Sequence, residues 1–111
     1  MSTTSSICRR FQATPEKPVA GSRVGLAIET LKTSPIHGLR VRPTETTNGW
    51  YIWCGERSDA ADFFSPLCVE HVSEYLPEVL PYLELPPGYR FVIDRHGFED
   101  VWYDQHLLFH A

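Results

Sequence analysis

The chain has 111 residues, the usual size of one domain, which would bury roughly two-thirds of its unfolded surface. With 42% hydrophobic and 22% charged residues it is neither disordered nor low-complexity, and no apolar run approaches the ~20 residues needed to span a bilayer. The net charge of −4 hides an asymmetry: residues 1–47 hold seven basic and three acidic side chains, net +4, and residues 48–111 hold three and eleven, net −8. The acidic part would repel a phosphate backbone, which argues against nucleic acid as its partner. It would attract a basic protein and speed encounter with it, or simply keep a small domain soluble.

The start, "MSTTSSICRRFQ", lacks the apolar core of a secretory signal, so a cytoplasmic protein is expected. Cys8, Cys54 and Cys68 are odd in number and far apart, which does not suggest a disulfide framework. "SSICRRFQA" suits either a short helix with a serine cap or a strand. "TPEKPVAGS" is a loop. "RVGLAIETL" reads as a strand with Val24, Leu26 and Ile28 on one side and Gly25 and Ala27 on the other. "KTSPIHGLRVRPTETTNG" reads as a long irregular connection with a short extended piece at residues 39–41.

Asn48-Gly49 favours a tight turn, and "WYIWC" follows with high β propensity. Trp50, Ile52 and Cys54 then share one side, Tyr51 and Trp53 the other. "GERSDAADFFSP" is an acidic loop ending in an aromatic pair. From Leu67 the apolar spacing turns helical, with Ser65 as N-cap and Pro66 at the first helical position. The pattern predicts one helix of about ten residues, then a second short segment from Pro77. "YRFVI", "DRHG" and "FEDVWYD" predict a β-hairpin over residues 89–104. The expected fold class is α+β: a mostly antiparallel sheet with a C-terminal β-hairpin, packed against one or two short helices at residues 66–84. A single domain over 1–111 is expected, with 1–20 as a peripheral N-terminal segment.

Four constellations bear on chemistry. Cys68 and His71 in "CVEH" lie three apart, and Cys54 would have to join them to approach a metal-ligand set; a buried cysteine beside a surface histidine explains the pair as well. His106 and His110 share helical spacing near the C-terminus. No motif marks any cysteine as a nucleophile. Asp94, Glu99, Asp100 and Asp104 gather on the hairpin, where paired carboxylates would serve a small hydrolase if held at the right separation. Finally, aromatics interleave with carboxylates, a composition suited to gripping a basic surface. The candidate partner-binding residues are Trp53, Glu56, Asp59, Asp62, Phe63, Glu99, Asp100, Trp102 and Asp104. A general interaction domain is the third reading of the same pattern.

The ordered set "VGLAIETL", "PIHGLR", "GWYIWCGE", "DFFSPLCVEHV", "LPEVLPYLELPPGYRFVI" and "FEDVWYD" resembles the immunity protein 33 family, small bacterial proteins encoded beside polymorphic toxins. The likeness runs from about Val24 to Leu108. It implies a non-enzymatic protein with no cofactor and no metal. Its implied partner is a cognate toxin, with a basic surface expected from the charge pattern, and neither nucleic acid nor membrane. The family brings no catalytic residues to carry across.

Overall fold

The computed structural model describes residues 6–109. Its centre is a six-stranded mixed sheet built from β1 (Arg23–Leu26), β2 (Ile36–Arg40), β3 (Trp50–Cys54), β4 (Ser65–Cys68), β5 (Tyr89–Ile93) and β6 (Glu99–Tyr103). The strand order is β4-β1-β3-β2-β5-β6. β1 and β3 run parallel; every other neighbouring pair is antiparallel. The last two strands form the expected C-terminal hairpin, and the fold is α+β.

Alternation along the strands divides the sheet into two faces. The first carries Val24, Leu26, Ile36, Trp50, Ile52, Cys54, Phe91, Ile93 and Val101, all buried. Against it pack α1 (Ser6–Arg10), α2 (Val72–Tyr75) and a 3₁₀ segment, Pro77–Tyr82, which deliver Ile7, Cys8, Val72, Leu76, Val79 and Tyr82 to the same core. Ser5, one of the two serines available to cap α1, lies outside the described residues. Trp50 is fully buried, and its indole N–H donates to the Leu83 carbonyl at 3.0 Å, which ties the end of the helical region to the sheet. Burying a side chain of this kind contributes about 1.5–3 kcal/mol.

Three expectations from the sequence are corrected. β1 ends at Leu26, so Ile28 opens a 3₁₀ turn and is 38% exposed instead of lining the strand's core face. The stretch around residues 36–40 is no irregular connection. It is β2, next to the middle of the sheet, and residues 41–49 form its return to β3. At that return Gly49 has φ +97°, and a Cβ there would lie 2.0 Å from the Val41 carbonyl oxygen, so the Asn-Gly pair is a backbone requirement. Lastly, Ser65 and Pro66 do not start a helix. They belong to β4, which pairs with β1, and helical structure begins at Val69. Pairing with the otherwise open side of β1 outweighs the local N-cap signal.

Candidate functional site on the second face of the sheet

The second face carries no α-helix among the described residues. Strand register sets its side chains in two rows. Trp53, His37, Val92 and Asp100 face one another across β3, β2, β5 and β6; Tyr51, Leu39, Arg90 and Trp102 form the next row. With strands about 4.8 Å apart, Trp53 and Asp100, three strands apart in one row, sit about 14 Å from each other. The loop 55–64 folds over one end of this face and brings Phe63 and Phe64 with it. Phe64 meets Tyr51 edge-on at 5.1 Å, Trp53 at 6.1 Å and Phe63 at 4.9 Å between ring centroids. At the other end Leu107, from the 3₁₀ segment Gln105–Phe109, packs with Leu39 and Val41.

Two arginines lie along this aromatic layer. The Arg57 guanidinium is 5.4 Å from the Trp53 ring centre and 5.8 Å from that of Phe64, both within cation–π range. Arg90 lies 5.6 Å from the Trp102 ring and donates to the Asp104 carboxylate at 3.3 Å. His37 stacks on Trp53 with centroids 5.0 Å apart and planes 10° from parallel. Burial, with a smaller push from the Arg90 charge, lowers the His37 pKa, so the ring is neutral at physiological pH.

The carboxylates predicted as a group are divided by the fold. Glu56, Asp59 and Asp62 are exposed on the loop 55–64, and Asp100 is exposed on the second face. None of these four forms an ion pair among the described residues. Glu99 instead points to the helical face, where Arg10 and the Tyr82 hydroxyl both donate to it. Burial pushes its carboxyl up, but these donors and the Arg10 charge outweigh that and leave its pKa lowered; burial, and then the same contact, raise that of Tyr82. Asp94 accepts from the His96 and Phe98 backbone N–H groups inside the hairpin turn, which hold its pKa down. Asp104 is held down chiefly by the His106 backbone N–H, with help from Arg90. Asp94, Asp104 and Glu99 therefore serve turn, cap and strap while Asp100 stands apart, and the hairpin acids do not converge as a hydrolytic pair.

Of the predicted contact residues, Trp53 is only 5% exposed and supports the layer from beneath. Phe63 and Asp104 are half-buried, and Trp102 is 37% exposed. Sequence reading missed His37, Arg57 and Arg90; the cations were visible in the chain, but only strand register reveals that they meet rings. The proposed ligands Cys54 and Cys68 fall on opposite faces, and no group of three potential metal ligands occurs among the described residues. His110 lies outside those residues. Burial raises the Cys54 thiol pKa, with a smaller opposing effect from Arg95, so it stays protonated.

A groove of about 1000 Å³ opens between residues 16–25 and 43–48 and reaches Tyr51 and Phe64 of the second face. Arg40 reaches its wall but is 2% exposed, and it donates to the carbonyls of Asn48, Glu16 and Leu85 at 3.0, 2.6 and 2.8 Å. It is thus a strut joining three segments of the chain. No helix of the described residues is long and apolar enough to cross a membrane.

No curated protein and no solved structure matches this chain. A family model does, over residues 3–104, a span that covers the whole sheet, both its faces and the acidic loop: the chain belongs to the Imm33-like domain family.

Proposed function

We propose that this protein is an immunity inhibitor. It binds a cognate toxin in the cytoplasm of the cell that makes it and covers the toxin's basic working surface, with no bond-making of its own. The observation that carries this reading is the family membership over residues 3–104. The surface supports it. Glu56, Asp59, Asp62 and Asp100 are exposed and unpaired by cations, next to Trp102 and the half-buried Phe63. Free carboxylates beside rings suit a basic protein surface, since the charges steer encounter and the rings supply contact area. The divergence of the hairpin carboxylates favours binding over hydrolysis.

The test is rescue. The toxin encoded by the adjacent gene is expressed in a sensitive host with and without this protein, and the two purified proteins are run together by size exclusion. Growth restored only in the co-expressing strain, with a co-eluting complex, is the expected result. A neighbouring gene that encodes no toxin, or a toxin that kills equally in both strains, overturns the proposal.

A further inference from the structure

The two outer strands of the sheet are finished differently. In β4, the Val69 N–H donates to the Ser22 carbonyl at 2.8 Å, in register with the β1–β4 pairing. Backbone polarity alternates along an antiparallel strand, so Leu67 and Ser65 bond towards β1 while Cys68 and Pro66 face outward. Pro66 has no N–H, and the middle of that outer edge is closed to pairing.

In β6 the parity is fixed by Asp94 N–H to Phe98 carbonyl at 3.2 Å and Asp104 N–H to Gly88 carbonyl at 2.6 Å. Asp100 and Trp102 therefore bond towards β5. The N–H and C=O of Glu99, Val101 and Tyr103 face outward, with no proline among them and, among the described residues, no strand beyond them. Phe98 and Tyr103 flank this edge at 54% and 51% exposure, with Trp102 and Asp100 on the second face. Arg10 pairs with Glu99 and Arg90 with Asp104, which leaves Asp100 as the strand's unpaired carboxylate among the described residues.

We propose that the outer edge of β6 is a strand-addition site, which takes an extended, lysine- or arginine-bearing segment of the toxin as a seventh strand of the sheet. Main-chain bonds to Glu99, Val101 and Tyr103 would hold the segment, and Asp100 with the neighbouring rings would select basic and apolar side chains at alternate positions. Charge favours this occupant over a second copy of the chain, since a basic segment meets the unpaired Asp100 whereas a second copy brings another unpaired Asp100. The identity of the partner rests on the immunity reading; the binding mode does not.

The test uses the full chain and the toxin of the adjacent gene, in an inactivated form. Tyr103→Ala and Tyr103→Pro both lose the ring, but only the proline loses the outward N–H, at a position where no bond to β5 is broken. With both variants confirmed folded by circular dichroism, Tyr103→Pro is expected to bind about tenfold more weakly than Tyr103→Ala. Independently of any variant, amide exchange at Val101 and Tyr103 of the wild-type protein is expected to slow in the complex. Equal affinities of the two variants, or exchange at those amides that the toxin leaves unchanged, overturn the strand-addition mode while the immunity reading stands. A wild-type protein that neither binds nor protects overturns both. Exchange already slowed in the free protein, together with a concentration-dependent dimer, assigns the edge to a second copy and sinks the proposal.

Discussion

Arg40 shows how one side chain can carry a junction. Its guanidinium lies 5.8 Å from the Trp50 ring centre and serves carbonyls from the N-terminal loop, the β2–β3 return and the segment before β5. An Arg40→Met variant keeps much of the volume but leaves those buried acceptors without a donor, at about 1–3 kcal/mol each when fully desolvated. Partial access to water makes a total loss of about 2–4 kcal/mol the expected result, read from the urea midpoint. Arg40→Lys is expected to recover only part of it, because an ammonium cannot reproduce the planar fork. His37 links stability to pH. Its pKa in the fold lies below that of the unfolded chain, so the folded state favours the neutral ring. The stability this confers is complete above about pH 7 and is lost as the pH falls through about 6.5 and then through the folded value. Thermal melts between about pH 7.5 and 5 are expected to show a falling Tm for the wild type and a shallower fall for His37→Gln. A fall of the same steepness in the variant assigns the pH dependence to other groups.

Among the elements, legibility followed the apolar pattern. β3, β5 and β6 announce themselves with β-branched and aromatic runs, and Pro77 marks its 3₁₀ segment. β2 does not, because its pattern is interrupted by residues that tertiary contacts require. Gly38 sits under the Phe91 ring, where a Cβ would come within 2.3 Å of it, and Arg40 occupies a core position that it can hold only through carbonyls from distant segments. Neither reason can be read locally. The same is true of β4, whose Ser-Pro start looks like a helix N-terminus until the open side of β1 is known. Gly38→Ala is expected to cost about 1–3 kcal/mol by pushing the Phe91 ring out of place, checked by chemical denaturation. Of the candidate surface, the exposure of Glu56, Asp59, Asp62 and Asp100 was legible, whereas the burial of Trp53 and the pairing of Glu99 with Arg10 and Tyr82 depend on distant segments.

For the molecule as a whole, the asymmetry between its halves becomes a surface with unpaired carboxylates around one end and one side of the sheet. If these steer a basic toxin, the Glu56→Gln, Asp59→Asn, Asp62→Asn triple variant should associate about tenfold more slowly at low salt, with a flatter dependence of the rate on ionic strength and a nearly unchanged dissociation rate. Stopped-flow or biosensor kinetics against the toxin read this directly, and unchanged association at low salt removes the loop from the encounter.

Pro66 also limits what the sheet can build on. A protein with two live flanks is a monomer in the polymer chemist's sense: each addition exposes a fresh end, and growth has no limit. Here one flank is dead, so any docking event on the other leaves nothing to extend. If the β6 edge takes a strand, the molecule is a chain terminator: concentrated samples are expected to stop at a one-to-one complex and form no fibres.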